Sequence, residues 1–164
     1  VIGKMPAATP ARRTKLDRGV QVKIADILRY KGTSVVTITP GESVRDLLAR
    51  LAEHNVGALV VIDDDRVVGI ISERDIVRQF HEQGENVLTA AVSDLMTSAV
   101  ISCGPDDSVD DIGATMTELR IRHMPVLAAG KLAGIVTIGD VVAGRIRQLE
   151  QDRGQLEQYI THGG

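Results

Sequence analysis

Residues 67–77 read VVGIISERDIV and residues 132–142 read LAGIVTIGDVV, the same pattern 65 positions later. The register extends without a gap, matching 37–80 to 102–145. Pro40 falls on Pro105, Ser43-Val44 on Ser108-Val109, Asp46 on Asp111, Gly69-Ile70 on Gly134-Ile135 and Asp75 on Asp140. Other exchanges keep size and polarity, as in Leu47/Ile112, Leu51/Met116, Ile71/Val136 and Ser72/Thr137. Such an echo means one supersecondary unit built twice. A unit of roughly 50–60 residues buries too little surface alone, so the two copies are expected to pack face to face. Any binding site then falls near the pseudo-two-fold axis between them.

Each unit reads as strand, helix, strand, strand, helix, a mixed α+β or α/β class. In the first, Val35–Ile38 is a β-branched run and 43–53 carries Val44, Leu47, Leu48 and Leu51 at helical spacing. Ala58–Ile62 and Val67–Ile71 flank Asp63-Asp64-Asp65, a hairpin signal, and a helix follows over 73–83. In the second, the equivalents are a strand at 100–102, a helix over 108–119, a hairpin about Ala129-Gly130 and a final helix. Short leading helices are expected at 23–29 and 93–96. Here Asp26-Ile27-Leu28 matches Asp94-Leu95-Met96 at an offset of 68, so the first unit carries three extra residues around Tyr30–Thr33. The expected layout is an arm over 1–22, repeat one over 23–83, a linker over 84–91, repeat two over 92–145 and a helical extension and tail over 146–164. In that extension Ile146, Leu149, Leu156 and Ile160 form a 3-4 stripe with Arg153 on the seam, as a helix contacting a second copy would.

Apolar residues make up 43% of the 164, but aromatics only 2% (Tyr30, Phe80 and Tyr159), so the core must be aliphatic. The single cysteine, Cys103, allows no disulfide framework, and its expected role is a small semi-buried residue. No run has the length of a membrane span and none has a signal-peptide layout, which points to a cytoplasmic setting. Net charge is −3, with residues 1–23 at +5 and the rest at −8. The arm has no aromatics for base stacking, so a solvated tail is favoured over a nucleic-acid contact.

Two segments carry candidate chemistry: Gly69-Ile-Ile-Ser72-Glu-Arg-Asp75 and Gly134-Ile-Val-Thr137-Ile-Gly-Asp140. Each ends a strand at a helix N-terminus. The carboxylate can accept from two ribose hydroxyls, and the hydroxyl and helix N–H groups can donate to a phosphate. Glycine permits close approach of a ligand to the backbone. The competing reading is a capping box, and the chain has four such pairs, at 43/46, 72/75, 108/111 and 137/140. The first and third follow turns and read as caps only. Where Asn55-Val56-Gly57-Ala58 aligns with Arg120-Ile121-Arg122-His123, one repeat is small and the other cationic, as a flat ring and a phosphate would respectively need.

The gapless repeat, the two Gly-h-h-Ser/Thr-x-x-Asp ends and His-Met-Pro-Val at 123–126 together resemble a tandem pair of cystathionine-β-synthase (CBS) domains, or Bateman module, over residues 24–145. The long tail helix is similar to that of small stand-alone bacterial CBS-pair proteins. The resemblance implies disc-shaped homodimers and adenosine ligands between the repeats: AMP, ADP or ATP, with S-adenosylmethionine or NAD(H) as further candidates. It implies one cleft in which Thr137 and Asp140 hold ribose and phosphate, Thr33, Ile38, Val56, Gly57 and Ala58 hold adenine, and His123 lies near the phosphate. In the other, Ser72, Arg74 and Asp75 meet Ile101, Ile121, Arg122 and Met124. The Thr137/Asp140 cleft is expected to be the better formed, because Val60 stands in repeat one where repeat two has Pro125 and because repeat two lacks the insertion that supplies Lys31-Gly32-Thr33.

No catalytic set is visible. His54, His81, His123 and His162 are scattered, there is no Walker A loop, and the Asp63 run lacks the glutamate of a calcium loop. The expected function is a non-catalytic regulatory module signalling to an unknown downstream protein. The alternative is a structural dimerisation scaffold with vestigial clefts. A phosphohydrolase is the least supported class.

Overall fold

The structure is a computed structural model that describes residues 3–4 and 21–162. The expected arm over 1–22 lies mostly outside the described residues. Within it, the two-residue strand β1 (Gly3–Lys4) pairs in parallel with β5 (Ile101–Ser102). Repeat one follows as α1 (Ile24–Lys31), β2 (Thr37–Ile38), α2 (Val44–His54), β3 (Ala58–Asp63), β4 (Arg66–Ser72) and α3 (Glu73–Gln83). Repeat two follows as α4 (Val92–Leu95), β5, α5 (Val109–Glu118), β6 (His123–Ala128), β7 (Lys131–Thr137) and α6 (Ile138–His162). The expected linker is an ordered 3-10 helix over Gly84–Thr89 that buries Val87 completely.

The repeats share irregularities as well as elements. Both hairpins turn through two left-handed residues, Asp64-Asp65 and Ala129-Gly130, which matches the twist of the strands they join. Both carry a register shift in the strand just before the turn, at Val61/Ile62 and Val126/Leu127. The helices α2 and α5 are each followed by a left-handed residue, Asn55 and Arg120. Between the repeats lies a shared apolar layer built from aligned pairs: Val35 and Val100, Ile62 and Leu127, Val67 and Leu132, Ile70 and Ile135. The expected face-to-face arrangement is therefore present, and it is built from Val, Ile and Leu alone.

The leading helices are exchanged between the repeats. Ile24, Ile27 and Leu28 of α1 sit in the core of repeat two, with Val109, Met116, Met124 and Val136. Val92 of α4, flanked by Leu95 and Met96, sits in the core of repeat one, with Leu47, Leu59 and Ile71. Backbone bonds repeat the exchange. The N–H groups of Ile24 and Ala25 donate to the carbonyls of Asp107 (2.9 Å) and Pro105 (2.8 Å), and those of Val92 and Ser93 to Glu42 (2.8 Å) and Pro40 (2.9 Å). Each buried aliphatic side chain contributes about 1.5–3 kcal/mol, so each repeat depends on the other's helix for part of its stability.

The exchange also explains the duplicated glycines. Leu28 and Met96 occupy equivalent places, and each lies directly on the glycine of the opposite repeat. A Cβ on Gly134 would fall 2.6 Å from Leu28 Cδ2, and one on Gly69 would overlap the Met96 side chain. The expectation that these glycines admit a ligand is corrected: they admit the exchanged helix.

The helix α6 packs its first turns on α5 and α1, burying Val141, and then runs on past the body. Along its length Val142, Ile146, Leu149, Leu156 and Ile160 are 51–80% exposed. Packing of that stripe on the chain's own body is thereby excluded for the described residues.

Candidate functional site

The helix starts at Ser72 and Thr137 are built alike. Each follows a strand ending in the hydroxyl residue, and each carries an aspartate at the third helical position. Asp75 Oδ2 accepts the Ser72 backbone N–H (2.9 Å) and the Ser72 hydroxyl (2.8 Å). Asp140 Oδ2 accepts the Thr137 N–H (2.8 Å), while the Asp140 N–H donates to Thr137 Oγ1 (3.1 Å). Both pairs therefore cap their helices, as Ser43/Asp46 and Ser108/Asp111 do at the turns. What separates them from ordinary caps is their surroundings.

A cavity of about 330 Å³ opens at the Ser72 end of β4, against the Arg120–His123 segment of repeat two. Its lining joins Ser72, Arg74 and Asp75 to Ile101, Ile121 and Arg122, six residues that the sequence had placed in one cleft. It also takes in Gly57, Ala58 and His123, which had been assigned to the other cleft. The reason is geometric. Ala58 pairs with Ser72 and His123 with Thr137 across their hairpins, so the two segments meet at the pseudo-two-fold axis. There Gly57 lies against the imidazole, and a Cβ on it would fall 3.3 Å from His123 Nε2. An adjoining hollow shares Arg74, Arg120, Ile121 and Arg122 and continues to Met116, Thr117 and Ile138.

Two expected site residues lie elsewhere. Met124 is fully buried, paired with Val136, and its side chain belongs to the core of repeat two. Ile38 is 1% exposed in the core of repeat one. Both occupy inward positions of their strands, which a period-two pattern this short does not distinguish from cleft-facing ones. Thr33 and Val56 are exposed, and neither lines this cavity.

Charge distinguishes the clefts. Around Asp75 the cavity gathers Arg74, Arg78, Arg120 and Arg122 against the carboxylates of Glu73 and Asp75. Arg78 pairs with Asp75 at 3.0 Å from one turn along the same helix, and Arg74 Nη1 reaches the Arg120 carbonyl (3.5 Å). Arg78, Glu73 and Thr97 were missed from the sequence. The helical spacing of Arg78 from Asp75 was the available signal for the first.

Asp140 has a different partner. Lys31 Nζ lies 2.6 Å from Asp140 Oδ2 and also donates to the Ile135 carbonyl (3.0 Å). Burial raises the Asp140 carboxyl, but bonds from Lys31 and the Thr137 N–H, with the lysine charge, hold it below the usual aspartate value. His123 is pushed below an ordinary histidine, by burial first and by the charges of Lys31 and Arg122, against opposition from Glu73 and Asp140. The imidazole at the axis is thus a neutral hydrogen-bonding group at pH 7. Cys103, 4% exposed, is pushed up to about 12 by burial and by Asp107, so it is an inert core thiol. Among the described residues no group of three or more His, Cys, Asp or Glu could hold a metal ion, and no helix is long and apolar enough to cross a membrane.

Duplicated units with exchanged helices and an inter-repeat cleft at paired Ser/Thr-x-x-Asp ends define a tandem module. This chain belongs to the CBS domain family, whose model matches residues 24–82 and again 92–146. It is similar to the crystal structure of the CBS-domain containing protein ATU1752 from Agrobacterium tumefaciens, with 41% identity, coverage of 78% of this chain and 96% of that one, and a TM-score of 0.74. It is 34% identical over 149 residues to the CBS domain-containing protein CBSX3, mitochondrial, of Arabidopsis thaliana, covering 85% of this chain and 72% of that protein. The CBS domain pair of protein MJ0100, solved in complex with 5-methylthioadenosine and S-adenosyl-L-methionine, is 28% identical over 75% of this chain and 94% of that one, at a TM-score of 0.63.

Proposed function

We propose that this chain is a non-catalytic regulatory module that binds an adenosine nucleotide between its repeats, in the Ser72/Asp75 cleft. The observation that carries the reading is the cavity itself, in which one ribose-competent carboxylate stands among four arginines. Asp75 would accept from the ribose hydroxyls, displacing the exposed Arg78 side chain. Arg74, Arg120 and Arg122 would take the phosphates, and Ile101 and Ile121 would flank the base. The related MJ0100 pair, solved with two adenosine compounds, supports an adenosine ligand. The excess of guanidinium groups here disfavours a cationic sulfonium and favours AMP, ADP, ATP or NAD(H). Ligand binding stabilises the arrangement of repeats that it bridges, and that shift is the signal passed to a downstream protein.

Thermal unfolding with each compound tests the reading. Phosphate-bearing nucleotides at about 100 times Kd add roughly 2.7 kcal/mol, a rise of several degrees in Tm, and S-adenosylmethionine gives little. Asp75→Ala removes the rise. No shift with any adenosine compound at millimolar concentration sinks the proposal.

A homodimer is part of the same reading. The exposed apolar stripe of α6 lies along a 25-residue helix that the described residues of its own body leave uncovered, and a second copy of α6 is its proposed cover.

A further inference from the structure

The two clefts differ through one turn of helix. The leading helix α1 has eight residues and α4 has four, and the added turn runs into the three-residue insertion around Tyr30–Thr33. That added turn is held at two points on repeat two. Arg147 of α6 sits 4.4 Å over the Tyr30 ring, and Lys31 reaches Asp140 and the Ile135 carbonyl. Repeat two has no insertion, and among the described residues the cation on Asp75 is Arg78 of its own helix rather than an equivalent of Lys31.

We propose that Lys31 decides which cleft takes a nucleotide: it latches the Asp140 carboxylate against the ribose and leaves the Asp75 cleft as the single working site. This rests on the adenosine reading given above. Competition at the two carboxylates is unequal. The Lys31 and Asp140 side chains are 28% and 23% exposed, and the ammonium is tied to two acceptors. A ribose hydroxyl would replace an ion pair with a hydrogen bond in which only the acceptor is charged, and would strand a half-buried ammonium. At Asp75, itself 17% exposed, the competitor is Arg78, 62% exposed and on the same helix, a cation that swings into water more freely than the tethered Lys31. The carboxylates match in sequence and are similarly exposed; they differ in the cation that holds them.

Titration calorimetry of the whole chain with AMP reads the latch as a stoichiometry. The wild type is expected to bind one AMP per chain, and Lys31→Gln two. Lys31→Arg, which keeps the charge, is expected to stay at one. Asp75→Ala should abolish binding in the wild type and leave one equivalent in the Lys31→Gln background, which identifies the cleft that opened. Lys31 is at the surface, and thermal unfolding without ligand checks that each variant is folded. Two equivalents in the wild type, or one in Lys31→Gln, overturns the latch while leaving the adenosine reading intact. Where AMP gives no heat, the same titrations are read with ATP and NADH, and no binding of any of the three to any variant overturns both.

Discussion

Gly69 and Gly134 show how one residue can carry two readings. Their place before a Ser/Thr-x-x-Asp end suits a ligand, and nothing in the sequence says that a side chain 106 positions away fills the space over Gly134 instead. The glycine's need for room was legible; its occupant was not. Substitution separates the two repeats. Gly134→Ala forces its Cβ onto the branched end of the buried Leu28 and should cost about 1–3 kcal/mol in urea unfolding. Gly69→Ala meets the pliant Met96 thioether and should cost less. The Asp140 carboxyl makes a prediction in pH. Its value is held below that of the unfolded chain, so the folded protein gains stability above the unfolded value of about 3.9, and the gain is lost as pH falls through the folded value. Asp140→Asn should therefore flatten the acid limb of a stability-versus-pH curve while leaving its alkaline limb unchanged in shape. The Asp75/Asp140 equivalence was legible, whereas the Lys31 pair that breaks it joins residues 109 apart, with no local periodicity to announce it.

At the scale of elements, the sequence predicted nearly every helix and strand, because each apolar face repeats at its own period in both copies. It did not predict where the leading helices dock. Ile24, Ile27 and Leu28 mark a buried face on α1, but the same face fits either core. Its packing against Val109, Met124 and Val136 and the backbone bonds to Pro105 and Asp107 assign it, and with hindsight the aligned Pro40/Pro105 pair marks both docking loops. The exchange makes a firm prediction. Halves expressed separately as 21–83 and 84–162 each lack the helix that completes their core, so circular dichroism should find them largely unfolded apart and folded when mixed. Two halves that fold independently would contradict the exchange. Leu28→Ala in the intact chain should cost about 2–5 kcal/mol despite lying outside the repeat it stabilises.

For the whole molecule, the length of α6 raises the question of assembly. Ile146, Leu149, Leu156 and Ile160 are exposed along one helix, the surface that the proposed second copy of α6 would cover. Leu149→Glu, which puts a charge at the middle of that stripe, should shift sedimentation equilibrium from dimer towards monomer with little loss of thermal stability in the monomer. An unchanged mass would remove α6 from the interface. The exchange of leading helices also decides how the body can move. Each repeat grips the other through an arm seated over a glycine, so the two cannot part like jaws around a bound molecule. Whatever presses into the cleft must slide α1 over β7 and α4 over β4 together, a coupled shear resisted by two close-packed seats. The displacement left to the molecule is small and shared by both repeats, and α6, rooted at Asp140 and projecting beyond the body, is the lever that lengthens it.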